Sequence, residues 1–99
     1  MTRIKNLADK IKDELCDAKD YAEEALYYKS KSNGEWYSRY KSMAEDELKH
    51  AGYLHDRVVS EIDQLKAVMT PPEDMLDKWN HEHREYIEKA AWIKQMLAM

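Results

Sequence analysis

The chain contains no phenylalanine, one cysteine, two glycines and two prolines in 99 residues. So few turn formers cannot punctuate the many short strands of an all-β sandwich or barrel. One thiol, Cys16, closes no internal disulfide, which fits a reducing cytoplasm. Charged residues at 36% leave no run of ~18 apolar residues, so no membrane-spanning helix is expected. The opening stretch MTRIKNLADKIKDEL is broken by charge every two or three positions, and no secretory signal is expected in it. Neither sign of charge dominates: 20 acidic residues face 16 basic ones, for a net charge of −4. Lys and Arg are dispersed among acids, so nucleic acid is not an expected partner. No serine-centred elbow or glycine-rich phosphate loop occurs, and Cys16 has no basic neighbour in sequence.

What remains is helical periodicity over one domain, residues 1–99. Ile4, Leu7, Ile11, Leu15, Ala18, Ala22, Ala25 and Leu26 recur at helical spacing and predict a first helix over about 2–30. Ser32-Asn33-Gly34-Glu35 then combines a helix breaker with a capping box, Ser32 as N-cap and Glu35 at the third position. The stripe Tyr37, Tyr40, Ala44, Ala51, Leu54, Val58, Ile62 and Leu65 predicts a second helix over about 33–69, with Gly52 marking a kink or a close helix contact. Thr70-Pro71-Pro72-Glu73 supplies the next start, Thr70 as N-cap and Pro71 as the first helical residue. Leu76, Trp79, Tyr86, Ile87, Ala90, Ile93 and Leu97 carry a third helix over about 71–97. The short joints imply antiparallel neighbours, hence an all-α fold built on a long helical hairpin. The aromatics Tyr27, Tyr28, Trp36, Tyr37 and Tyr40 fall around the first turn and are expected to pack its end.

Polar residues inside the apolar rows are the informative ones. Glu14 interrupts Leu7, Ile11, Ala18, Tyr21, Ala25, and Glu47 interrupts Tyr40, Ala44, Ala51, Leu54, Val58. Three residues beyond Glu47 lies His50, so Glu47-Leu48-Lys49-His50 is an E-x-x-H that sets carboxylate and imidazole on one helical face. Glu14 lies 16 residues before Ser30 and Glu47 lies 14 after Asn33. At ~1.5 Å per residue these are about 24 and 21 Å from the turn, so the three side chains meet at one height. No Lys or Arg occupies the inner rows there, and ionised carboxylates buried without partners cost several kcal/mol each. A metal cation is the natural counter-charge; carboxylate plus imidazole suits iron, manganese or zinc. The alternative is that the glutamates reach water at the stripe edges and His50 is a surface histidine. The chain is then a metal-free helical dimerisation or protein-interaction module. On the third helix His81, His83 and Glu85 stand close in sequence. With His55 from the second helix they offer either a second metal site or, more simply, packed histidines.

The stretch Glu45-Asp46-Glu47-Leu48-Lys49-His50-Ala51, followed by Gly52-Tyr53-Leu54, resembles the E-x-x-H helix of the ferritin-like superfamily, especially bacterioferritin and rubrerythrin. The interval of 33 from Glu14 to Glu47 and the tyrosine at position 21 are similar to those proteins as well. The resemblance spans about residues 7–65. It implies a di-iron centre with ferroxidase activity, Glu47 bridging and Glu14 terminal, with His50 completing the ligand set. A complete site of that kind draws two Glu and two E-x-x-H contributions from four helices, and this chain holds half. A two-fold homodimer, or a higher homo-oligomer, would present each ligand twice, an arrangement similar to that of encapsulated ferritins. The last residues, Gln95 to Met99, show no shell-docking tail, so shell association is not expected.

Overall fold

The computed structural model describes residues 2–99. The fold is all-α: α1 (Thr2–Ser30), α2 (Gly34–Lys66) and α3 (Glu73–Ala98), with no strand among the described residues. No helix among them is long and apolar enough to cross a membrane.

Both joints differ from the sequence expectation, each for a local reason. Ser32 is not the N-cap of α2. It takes a left-handed φ of 57°, the conformation that terminates a preceding helix, while the Asn33 N–H bonds back to the Tyr28 carbonyl at 3.0 Å. The cap therefore passes to Asn33, whose side-chain oxygen accepts from the Trp36 N–H at 3.3 Å. Glu35, released from any capping box, pairs with Arg39 at 3.1 Å. At the second joint α2 stops at Lys66, not at Met69, and α3 starts at Glu73, not at Pro71. A residue preceding proline is pushed out of the helical region, so Pro72 bars Pro71 from opening a helix, as Pro71 bars Thr70 from continuing one. Pro72, at φ −57° and ψ 138°, is the N-cap, with no side-chain capping bond.

Cross-helix contacts of α1 and α2 run in opposite chain order. Arg3 meets Glu61, Glu14 meets His50, and Tyr21 and Tyr28 both meet Tyr40. α3 leans mainly on α1 and touches α2 only lightly. It ascends in the same direction as α1: Met75 and Trp79 lie by Ile4 and Ala8, Glu85 and Trp92 by Leu15 and Lys19. Lys29 at the top of α1 donates to the Met99 carbonyl. The core is a cluster from all three helices in which Val58 and Ile93 are the largest fully buried side chains. Ala18, Ala22, Ala44 and Ala51 are completely inaccessible; such small residues let helix backbones approach closely. Ala8 and Met96 join the core unforeseen, whereas Ile87, read as a core position, is 51% exposed. With α3 docked chiefly on α1, only one narrow stripe of it is covered.

Gly52 lies inside an unbroken α2, and an added Cβ there would sit 3.6 Å from the Tyr86 hydroxyl. It marks a helix contact, not a kink. At the α1–α2 turn Tyr28 stacks on Tyr40 with centroids 5.7 Å apart and lies 6.3 Å from Trp36, closing that end with aromatic surface.

Candidate metal centre

The helix spacing that sets Glu14 on α1 and Glu47 and His50 on α2 brings the three together. One ligand atom from each lies within 4.8 Å of the others. His50 Nδ1 is 3.8 Å from Glu14 Oε2 and 3.8 Å from Glu47 Oε1. Ligands at ~2.1 Å from one ion are about 3.4 Å apart in a tetrahedron and about 4.2 Å apart when opposed. The two His50–carboxylate distances fall between those limits.

The surroundings are less dry than the sequence implied. Glu14 and Glu47 are half-buried, while the His50 side chain is 54% exposed. The imidazole therefore stands at the mouth of the site with both carboxylates behind it. α3 is the reason: it covers the other flank of the α1–α2 pair, at Leu15 and Gly52, and leaves this flank open. Lys10, although off the inner row and exposed, brings its Nζ within 3.8 Å of Glu14 Oε1. An ion pair this loose and exposed contributes little, but Glu14 is not wholly without a cation. Glu47 has only the His50 imidazole, 3.8 Å from its Oε1; its Oε2 is buried and accepts no hydrogen bond among the described residues. Leaving a buried acceptor unsatisfied costs about 1–3 kcal/mol, more when charged. That orphaned oxygen, in a carboxylate–imidazole donor set, fits a metal cation of the iron, manganese or zinc type.

The residues around the site form two half-buried rows at sevenfold spacing. On α1 they are Leu7, Glu14, Tyr21 and Tyr28; on α2 they are Tyr40, Glu47, Leu54 and Glu61. Both rows lie on the flank turned away from α3.

The other histidines separate. His81 is exposed. His83 of α3 meets His55 of α2, His55 Nε2 and His83 Nδ1 being 2.6 Å apart. Glu85 does not join them: it pairs with Lys89 at 3.5 Å. Of the group that the sequence offered, His55 and His83 are thus the two that the fold brings together.

No protein family, curated protein or solved structure matches this chain.

Proposed function

We propose that the chain is a ferritin-like metal-binding protein whose Glu14, Glu47 and His50 form half of a di-metal site, completed by a second copy. The buried, unpartnered Glu47 Oε2 is the observation that carries this reading. A cation is the partner that relieves it without another protein donor. Support for the second copy comes from the two half-buried heptad rows flanking the site. Rows repeating every seven residues are the seam along which helices pair side by side. Two α1–α2 hairpins apposed there on a two-fold axis make a four-helix bundle with four carboxylates and two imidazoles facing inward.

Within each copy the residues divide the work. Glu47, with its buried Oε2, would be the bridging carboxylate that the ferritin-like resemblance implies. Glu14 closes the site from α1 and carries Lys10 on its outer side. His50, at the mouth, offers an imidazole to an incoming ion and completes the ligand set. With ferrous iron as substrate, the chemistry is ferroxidation: two ferrous ions each give one electron to a peroxide, which takes two protons and leaves as two waters.

A metal-free interaction module is the competing reading, and the Lys10–Glu14 contact favours it by supplying part of the counter-charge from within. Elemental analysis decides between the two. Protein purified without chelator and loaded with ferrous iron under anaerobic conditions should carry iron in a fixed ratio to chain. Glu47→Ala should lose that iron while its far-ultraviolet dichroism stays helical. Equal iron in Glu47→Ala, or none in the parent, overturns the metal-centre reading. Full loading of a protein that native mass spectrometry shows to be monomeric overturns completion by a second copy.

A further inference from the structure

His55 and His83 come from different helices, yet their rings point one nitrogen each at the same spot, 2.6 Å apart. In the absence of an ion, one nitrogen must donate a proton and the other accept it. The contact therefore holds at least one neutral imidazole, the form in which histidine ligates metals. The surroundings favour neutrality at His55. Burial pushes its imidazole below the ordinary histidine range and the facing His83 adds to the fall, against the opposing pull of Asp56.

Three features distinguish this pair from two packed histidines. The first is convergence: two ligands at ~2.1 Å from one tetrahedral ion lie about 3.4 Å apart, so the pair, at 2.6 Å, need open by only about 0.8 Å to seat an ion between the nitrogens. Next, Asp56 Oδ1 lies 3.6 Å from the other nitrogen of His55, Nδ1. A carboxylate behind the non-ligating nitrogen of a metal-bound histidine fixes its tautomer and raises its basicity. Finally, rings hold the histidines in place: Tyr86 stacks on His55 at 4.6 Å and Trp79 lies 5.4 Å from it. Open grooves flank the pair, one past His55, Ser60 and Asp63, the other past Asp77 and His83. Water can fill the remaining coordination positions from either side.

We propose that His55 and His83 form a second metal site, separate from Glu14, Glu47 and His50, which binds one imidazole-preferring dication of the zinc, nickel or copper class and clasps α3 to α2. The two sites differ in donor chemistry. Two imidazoles without a direct carboxylate ligand disfavour hard ions such as Mg2+ or Mn2+. Acid weakens the second site, because the ion must displace the proton shared by the rings. Asp56 is a positioning residue here, and Asp56→Asn should weaken binding about tenfold. Nothing in this proposal depends on the ferritin-like reading.

The test is a Zn2+ titration by calorimetry in the Glu47→Ala background, which removes a carboxylate ligand of the first site. One equivalent should still bind, and it should raise the thermal midpoint. Adding His83→Gln should abolish that equivalent. Retention of full affinity in a His83→Gln protein that dichroism shows to be folded overturns the proposal, as does absence of binding in the Glu47→Ala background. Should His83→Gln fail to fold, the unmutated ring pair answers instead. Substoichiometric Ni2+ added to the Glu47→Ala protein should broaden the ring-proton resonances of His55 and His83 before those of His81. Uniform broadening, or none, refutes the site.

Discussion

His55 shows how one side chain acquires a pH response from its neighbours. Its folded-state affinity for protons is depressed, first by burial and then by His83, and only partly restored by Asp56. The unfolded chain, with its ordinary value of 6.5, then binds more protons than the folded one, so stability rises with pH across that interval. The contribution is complete above the unfolded value. It is lost as pH falls through 6.5 toward the depressed folded value, and it is flat again below that. With chelator present, subtracting the urea midpoints of His55→Asn from those of the parent between about pH 7.5 and about pH 5.5 should give a difference that shrinks on acidification. A pH-independent difference would show that the ring pair contributes by packing alone. Trp79, 5.4 Å from His55, offers a local fluorescence probe of the same event. At this scale the sequence was informative where charge broke an apolar row, as at Glu14 and Glu47. It offered His55, His81, His83 and Glu85 as one group but could not say which of them meet, because a contact between residues 28 positions apart on different helices has no local signature.

At the scale of the element, periodicity located all three helices, because long amphipathic stripes average over many residues. The ends depended on single residues, and there two local signals competed. Ser32 carried a capping side chain but was needed for the left-handed turn; Pro71 carried a favourable φ but preceded another proline. Gly52 is a further case. Its neighbour across the helix interface is a hydroxyl at 3.6 Å from a hypothetical Cβ, an ordinary van der Waals distance. Its backbone is ordinary helix within α2, so nothing local demands glycine. Alanine is better than glycine in a helix interior by about 0.8–1.0 kcal/mol. Gly52→Ala should therefore stabilise the protein by roughly 0.5–1 kcal/mol in urea denaturation. A loss of similar size would mean that α2 and α3 lie closer than the Tyr86 contact allows.

The whole molecule is a rod of 55 × 17 × 17 Å with a radius of gyration of 16.1 Å, against about 13 Å for a globular domain of about 100 residues. Most of its length is that of α2, 33 residues at ~1.5 Å each or about 50 Å. Three helices side by side leave much surface uncovered: 6581 Å² is accessible, where a monomer of this mass averages about 5,900 Å². Part of the excess is the flank that carries Leu7, Tyr21, Tyr28, Tyr40 and Leu54 around the two glutamates, residues half-covered by their own chain and free to be covered by another. If a second copy covers that flank, folding and association are linked, and stability depends on concentration. Each tenfold dilution of a coupled dimer should then lower the apparent unfolding free energy by about 1.4 kcal/mol. Leu54→Asp places a charge at the centre of the proposed seam yet outside the fully buried core. It should abolish the concentration dependence, leave the helical dichroism in place, and lower iron loading, since each half-site then stands alone. Denaturation midpoints of the parent that do not move between low and high micromolar protein would show instead that the rod is stable as a single chain. The carboxylates of Glu14 and Glu47 would then have only Lys10, His50 and solvent to face.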